Sequence, residues 1–114
     1  MREFILMPEF DRQWERLGFD DNDLRKLEEV LSKNPKLGKV IKGTGGLRKV
    51  RFAFEKRGKS GSVRILYVDI VIAETLYLIT AYAKGDKADI SEAEKKIFKQ
   101  LISEIKKVQG GKSQ

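Results

Sequence analysis

Apolar and polar positions divide the chain into stretches of two different periods. Residues 2–7, REFILM, are a short apolar run stopped by Pro8, which predicts a first strand followed at once by a helix. Phe10, Trp14 and Leu17 recur at i, i+4 and i+7, so 9–17 reads as a short amphipathic helix closed by Gly18, with Trp14 in the core. Asp21 to Asp23 offer N-caps ahead of Leu24, Leu27, Val30 and Leu31, which share one face of a second helix ended by Asn34-Pro35.

From Gly43 the period changes to two. Val50, Phe52 and Phe54 alternate with Lys49, Arg51 and Ala53, predicting a strand with one apolar and one basic face. RGKSG at 57–61 reads as a loop, and SVRILYVDI at 62–70 and TLYLITAYA at 75–83 as two further strands, linked through Val71 to Glu74 into an antiparallel meander. Ser91 and Glu94 form a capping box ahead of a helical stripe of Ile97, Phe98, Leu101, Ile102, Ile105 and Val108. The order β-α-α-β-β-β-α predicts an α+β fold, an antiparallel sheet with helices on one side. With 114 residues the chain makes one domain, over 1–108, and a frayed, flexible tail over 109–114.

Charge narrows the function. The chain holds 24 Lys and Arg against 17 Asp and Glu, a net +7 that favours a polyanionic partner. The excess is local: residues 43–67 carry seven basic side chains (Arg48, Lys49, Arg51, Lys56, Arg57, Lys59, Arg64) against Glu55 alone. No apolar run reaches the roughly 18 residues that span a bilayer, and no secretory leader pattern is present, so a cytoplasmic protein without membrane partners is expected. Having neither Cys nor His, the chain excludes disulfides, Cys-ligated zinc and thiol nucleophiles, and leaves proton transfer to Asp, Glu, Lys, Arg or Tyr. No metal site and no cofactor are expected.

Side chains of one parity on adjacent strands share a face, which places Lys49 and Arg51 beside Arg64. Three neighbouring cations repel one another, and an anion such as an RNA phosphate between them relieves the cost. Arg57 and Lys59, with Lys84 and Lys87 after the last strand, would close the sides of this basin, and Arg48 adds to its charge. Tyr82 ends its strand near Lys84, whereas Tyr67 faces away from Arg64 by parity.

Two rival motifs fail on context. Residues 53–60 resemble a phosphate-binding P-loop, but Ala53 stands where its first Gly belongs and the run after Ser60 is β-branched and aromatic rather than helical. GTGG at 43–46 lacks the spacing of a dinucleotide loop and reads as a turn whose glycines take positive φ, with backbone amides near a phosphate as its alternative use.

GTGGLRKVRF at 43–52, RGKSGSVRILY at 57–67, YAKGDKADIS at 82–91 and NPKLGKVIKGTGG at 34–46 together resemble HigB-type members of the RelE superfamily, over roughly residues 10–105. The resemblance implies the microbial RNase fold and a toxin that enters the ribosomal A site and cleaves mRNA. It also implies a cognate antitoxin from the same operon, of DNA-binding type. It implies basic catalytic roles for Lys49 and Arg51, a role for Arg64 ahead of the strand residue Tyr67, and roles for Lys84 and Lys87; Tyr82 joins the catalytic candidates, and Arg48, Arg57, Lys59 and Lys87 those for RNA binding. A branch of the family carries a Tyr near the start of the terminal helix, where this chain has Ser91. Two other functions suit the same fold and charge: a ParE-like gyrase poison and a non-catalytic nucleic-acid-binding domain.

Overall fold

The structure, a computed structural model, describes residues 2–56, 59–85 and 89–112, with the side chains at 56, 59, 60 and 112 outside the description. Strand β1 (Glu3–Leu6) runs into α1 (Pro8–Arg16), where Pro8 occupies the first turn and costs no hydrogen bond. Gly18, at φ 85°, follows the last turn in the left-handed conformation that Gly adopts without strain. Helix α2 (Asp21–Lys33) is capped one residue earlier than the sequence suggests: the Asp20 carboxylate accepts from the Asp23 N–H at 3.0 Å and the Asp23 carboxylate accepts from the Asp20 N–H at 2.9 Å.

The strands that follow are β2 (Lys39–Val40), β3 (Arg48–Lys56), β4 (Lys59–Ile70) and β5 (Thr75–Ala83), with a 3-10 turn at Val71–Ala73 before β5 and helix α3 (Glu92–Lys112) after it. Lys59 to Gly61 therefore belong to β4, not to a loop, and the two-residue β2 adds an element that the sequence does not announce.

The α+β class is as expected, but two details of the sheet differ. Its order is β1-β5-β4-β3-β2; β3, β4 and β5 form the antiparallel meander, whereas β1 pairs in parallel with β5, so the sheet is mixed. Helices also cover both faces. Phe10, Trp14, Leu27 and Leu31 of α1 and α2 pack on Val63, Ile65, Tyr67, Leu76 and Leu78, while Ile102 and Ile105 of α3 pack on Leu66, Val68, Ile70, Tyr77 and Ile79. A sheet buried on two sides reads as a continuous apolar run, and Ile65-Leu66-Tyr67-Val68 is such a run.

Helix α3 continues past the tail boundary expected at residue 109. Gln109 is buried, and its side-chain amide donates to the Tyr77 hydroxyl, which ties this turn to the sheet. The GTGG segment is a turn, with Gly43, Gly45 and Gly46 at φ 85°, 76° and 123°. Buried Thr44 holds it: its hydroxyl donates to the Ile41 carbonyl at 2.6 Å and accepts from the Leu47 N–H at 3.0 Å.

Candidate functional site: a basic row across three strands

Register decides which cations meet. Arg51 of β3 pairs with Arg64 of β4, and Arg64 pairs with Tyr82 of β5, so the three side chains form one row across the sheet. Lys49 pairs with Leu66 one row further on, on the same face. The opposite face of β3 carries Val50, Phe52 and Phe54, which pack toward the aromatic cluster of Trp14 and Phe19. One strand thus anchors itself by one parity and presents charge by the other.

Tyr82 reaches this row because β5 is irregular. Leu78 pairs with Tyr67 and Thr80 with Leu66, leaving Ile79 as an extra residue between two consecutive partners on β4. Tyr77 and Ile79 face α3, Ala81 faces α1 and α2, and Tyr82 returns to the α3 side. Strict alternation would have sent Tyr82 to the other face with Leu76 and Leu78. The bulge re-aims it at Arg64.

Arg64 is held within the sheet, and its Nη1 is buried without a hydrogen-bond partner among the described residues. A buried donor on a cation costs roughly 1–3 kcal/mol or more when unpaired, so such an atom calls for an acceptor. Arg51, across the register, is exposed, and Lys84 is exposed at the end of β5. Burial pushes the Tyr82 phenol above its ordinary range, and the nearby Asp89 carboxylate pushes the same way against the opposing charge of Arg64. Tyr82 is therefore a neutral hydrogen-bond donor near pH 7, not a phenolate.

Asp89 is a member of the site that sequence reasoning passed over. Its carboxylate accepts from the Ile90 N–H at 2.8 Å and lies 3.8 Å from Lys49 Nζ. The backbone N–H first, and Lys49 second, hold it below the usual carboxylate range. The only signal for it in the sequence is its place in the block YAKGDKADIS, beside Lys84 and Lys87.

Arg48 lies elsewhere. It pairs with Tyr67, on the opposite face from Lys49, and its Nη1 donates to the carbonyls of Gly38 at 2.7 Å and Lys36 at 3.4 Å. This arginine buttresses the loop after α2, away from the row. Arg57, Lys87 and the side chain of Lys59 fall outside the described residues. Among the described residues no cluster of acidic side chains is arranged to hold a metal ion, and no helix is long and apolar enough to cross a membrane.

A sequence model described as the RelE toxin of the RelE / RelB toxin-antitoxin system matches residues 9–112. That span takes in both helices of the N-terminal hairpin, the whole meander with its basic row, and α3. The chain belongs to the RelE toxin family, and with that membership comes an antitoxin partner.

Proposed function

We propose that this toxin is an mRNA endoribonuclease of the HigB-like kind that acts on translating ribosomes in the cytoplasm, and that Arg64 holds the scissile phosphate. The observation that carries this reading is the buried Nη1 of Arg64, without a partner among the described residues, in a row with Arg51 and Tyr82. RNA cleavage by the adjacent 2′-hydroxyl needs that hydroxyl deprotonated, the pentacovalent phosphorane stabilised and the 5′-oxygen protonated as it leaves.

Guanidinium groups suit the second task, since they grip two phosphate oxygens and stay charged, and Arg64 with Arg51 flanks the place where that charge develops. The protonated Tyr82 phenol suits the third, as a donor to the leaving oxygen. For the first, Lys49 and Asp89 are the candidates, 3.8 Å apart at one side of the row. Lys84 then contacts a flanking phosphate. A site without imidazole is a weak proton shuttle, so alignment of the RNA by the ribosome supplies part of the rate.

Induced expression followed by mapping of transcript 5′ ends tests the reading. New ends clustered within translated codons, together with arrested translation, are the expected result. DNA damage with intact transcripts would instead mark a gyrase poison, and neither effect would leave a passive binder.

A further inference from the structure

Beside the basic row lies a groove of about 560 Å³ whose walls, Tyr82 apart, take no part in the three cleavage tasks. It exists because β1 is short. After Leu6, paired with Leu78, the chain turns away into α1, and the rest of β5 has no strand on that side among the described residues. The first half of α3 and the outer face of α1 close over this margin. Leu66, Ile79 and Phe98 give the groove apolar walls, with Tyr82 on one side.

We propose that the groove receives one unpaired nucleobase of the RNA, adjacent to the phosphate at Arg64; the proposal rests on the nuclease reading. Tyr82 joins the two places, since it pairs with Arg64 in the sheet and also lines the groove. A base entering there meets Tyr82 and Phe98 as ring surfaces, which take the face of any base. The Thr80 hydroxyl and the second amide N–H and second lone pair of Gln13, whose amide also bonds Glu9 and Arg16, meet its edge.

Arg12 and Arg16 stand one turn apart on the α1 rim. Glu9 accepts from Arg12 at 2.7 Å and from Gln13 at 3.0 Å, and Arg16 Nε donates to Gln13 Oε1 at 3.1 Å, a hydrogen-bonded chain of four side chains along the exposed rim. Its guanidinium groups suit the phosphate beyond the base. The cleft is roomier than one base needs, so the base takes the Tyr82–Phe98 end and the sugar-phosphate beside it runs toward the α1 rim.

The test uses the full chain on ribosomes programmed with mRNA carrying a 2′-deoxy block at the cleavage position and 5-iodouridine beside it. Photocrosslinks should map to residues 7–16 or 94–101. On cleavable mRNA, Gln13→Ala and Thr80→Val should change the ratio of cleavage rates among the four bases at that position by about tenfold, the scale of one lost hydrogen-bond contact to a base edge. The ratio is insensitive to a general loss of activity or stability.

Crosslinks confined to β3 and β4, with the base ratio unchanged in both variants, would overturn the subsite while leaving the nuclease standing. A wild-type chain that cleaves no ribosome-bound mRNA would remove the nuclease reading and the subsite with it. Protection of the groove by the antitoxin in hydrogen exchange, with the base ratio again unchanged, would assign it to the protein partner and overturn the proposal.

Discussion

One phenol organises the loop between α2 and β3. The Tyr67 hydroxyl donates to the Pro35 carbonyl at 2.8 Å and accepts from the Gly38 N–H at 2.8 Å, inside the core. Removing it strands a buried N–H, which costs roughly 1–3 kcal/mol, so Tyr67→Phe should lower denaturant stability by that amount. Burial, opposed by the Gly38 hydrogen bond and by Arg48, raises the Tyr67 pKa above its ordinary value. The folded state then binds the proton more tightly than the unfolded one: the contribution is complete below about pH 10 and is lost as pH rises through the folded value. The difference in stability between wild type and Tyr67→Phe should accordingly shrink on the alkaline side, as pH-dependent unfolding would show; a constant difference would contradict it. Gly38 has no room for a side chain, since a Cβ would lie 2.9 Å from Tyr67 Cε1 and 3.0 Å from the Lys49 backbone. Parity made the direction of Tyr67 legible in the sequence. The role of Arg48 was not, because its acceptors are carbonyls 10 and 12 residues earlier whose approach depends on the loop's path.

At the scale of elements, local signals carried furthest. The helical stripes of Phe10, Trp14 and Leu17 and of Leu24, Leu27 and Leu31 mark α1 and α2 because one face of each must be buried, although Val30 stays 42% exposed. Two expected outcomes measure that reading: Asp20→Ala should cost about 1 kcal/mol as a lost cap, and Leu31→Ala about 2–5 kcal/mol as a core cavity. Thermal or urea unfolding checks both, and equal effects would contradict the assigned roles. The parallel pairing of β1 with β5 left no local trace, since period reports which face is buried and not which strand lies alongside. The apolar run at 65–68 did hold a sign of burial on both faces, and α3 supplies the second cover. The bulge at Ile79 was invisible for a related reason. It depends on two strands failing to keep step, and the row of Arg51, Arg64 and Tyr82 follows from that failure as much as from residue identity.

The whole molecule is elongated, 49 × 32 × 22 Å, and carries its net +7 chiefly on the middle of the chain. Binding to ribosomes through about four phosphate contacts should weaken roughly a hundredfold between about 50 and about 200 mM salt, because each contact releases condensed counterions. Filter binding across that range would show it, and a flat response would place docking on another surface. The most direct test of the central claim is single-turnover cleavage of ribosome-bound mRNA by Arg64→Ala, measured beside its melting temperature. Losing one preorganised phosphate ligand should slow cleavage by about 100- to 1000-fold. The melting temperature should hold or rise, since a buried donor with no partner among the described residues is removed. A folded Arg64→Ala protein that cleaves at the wild-type rate would contradict the account.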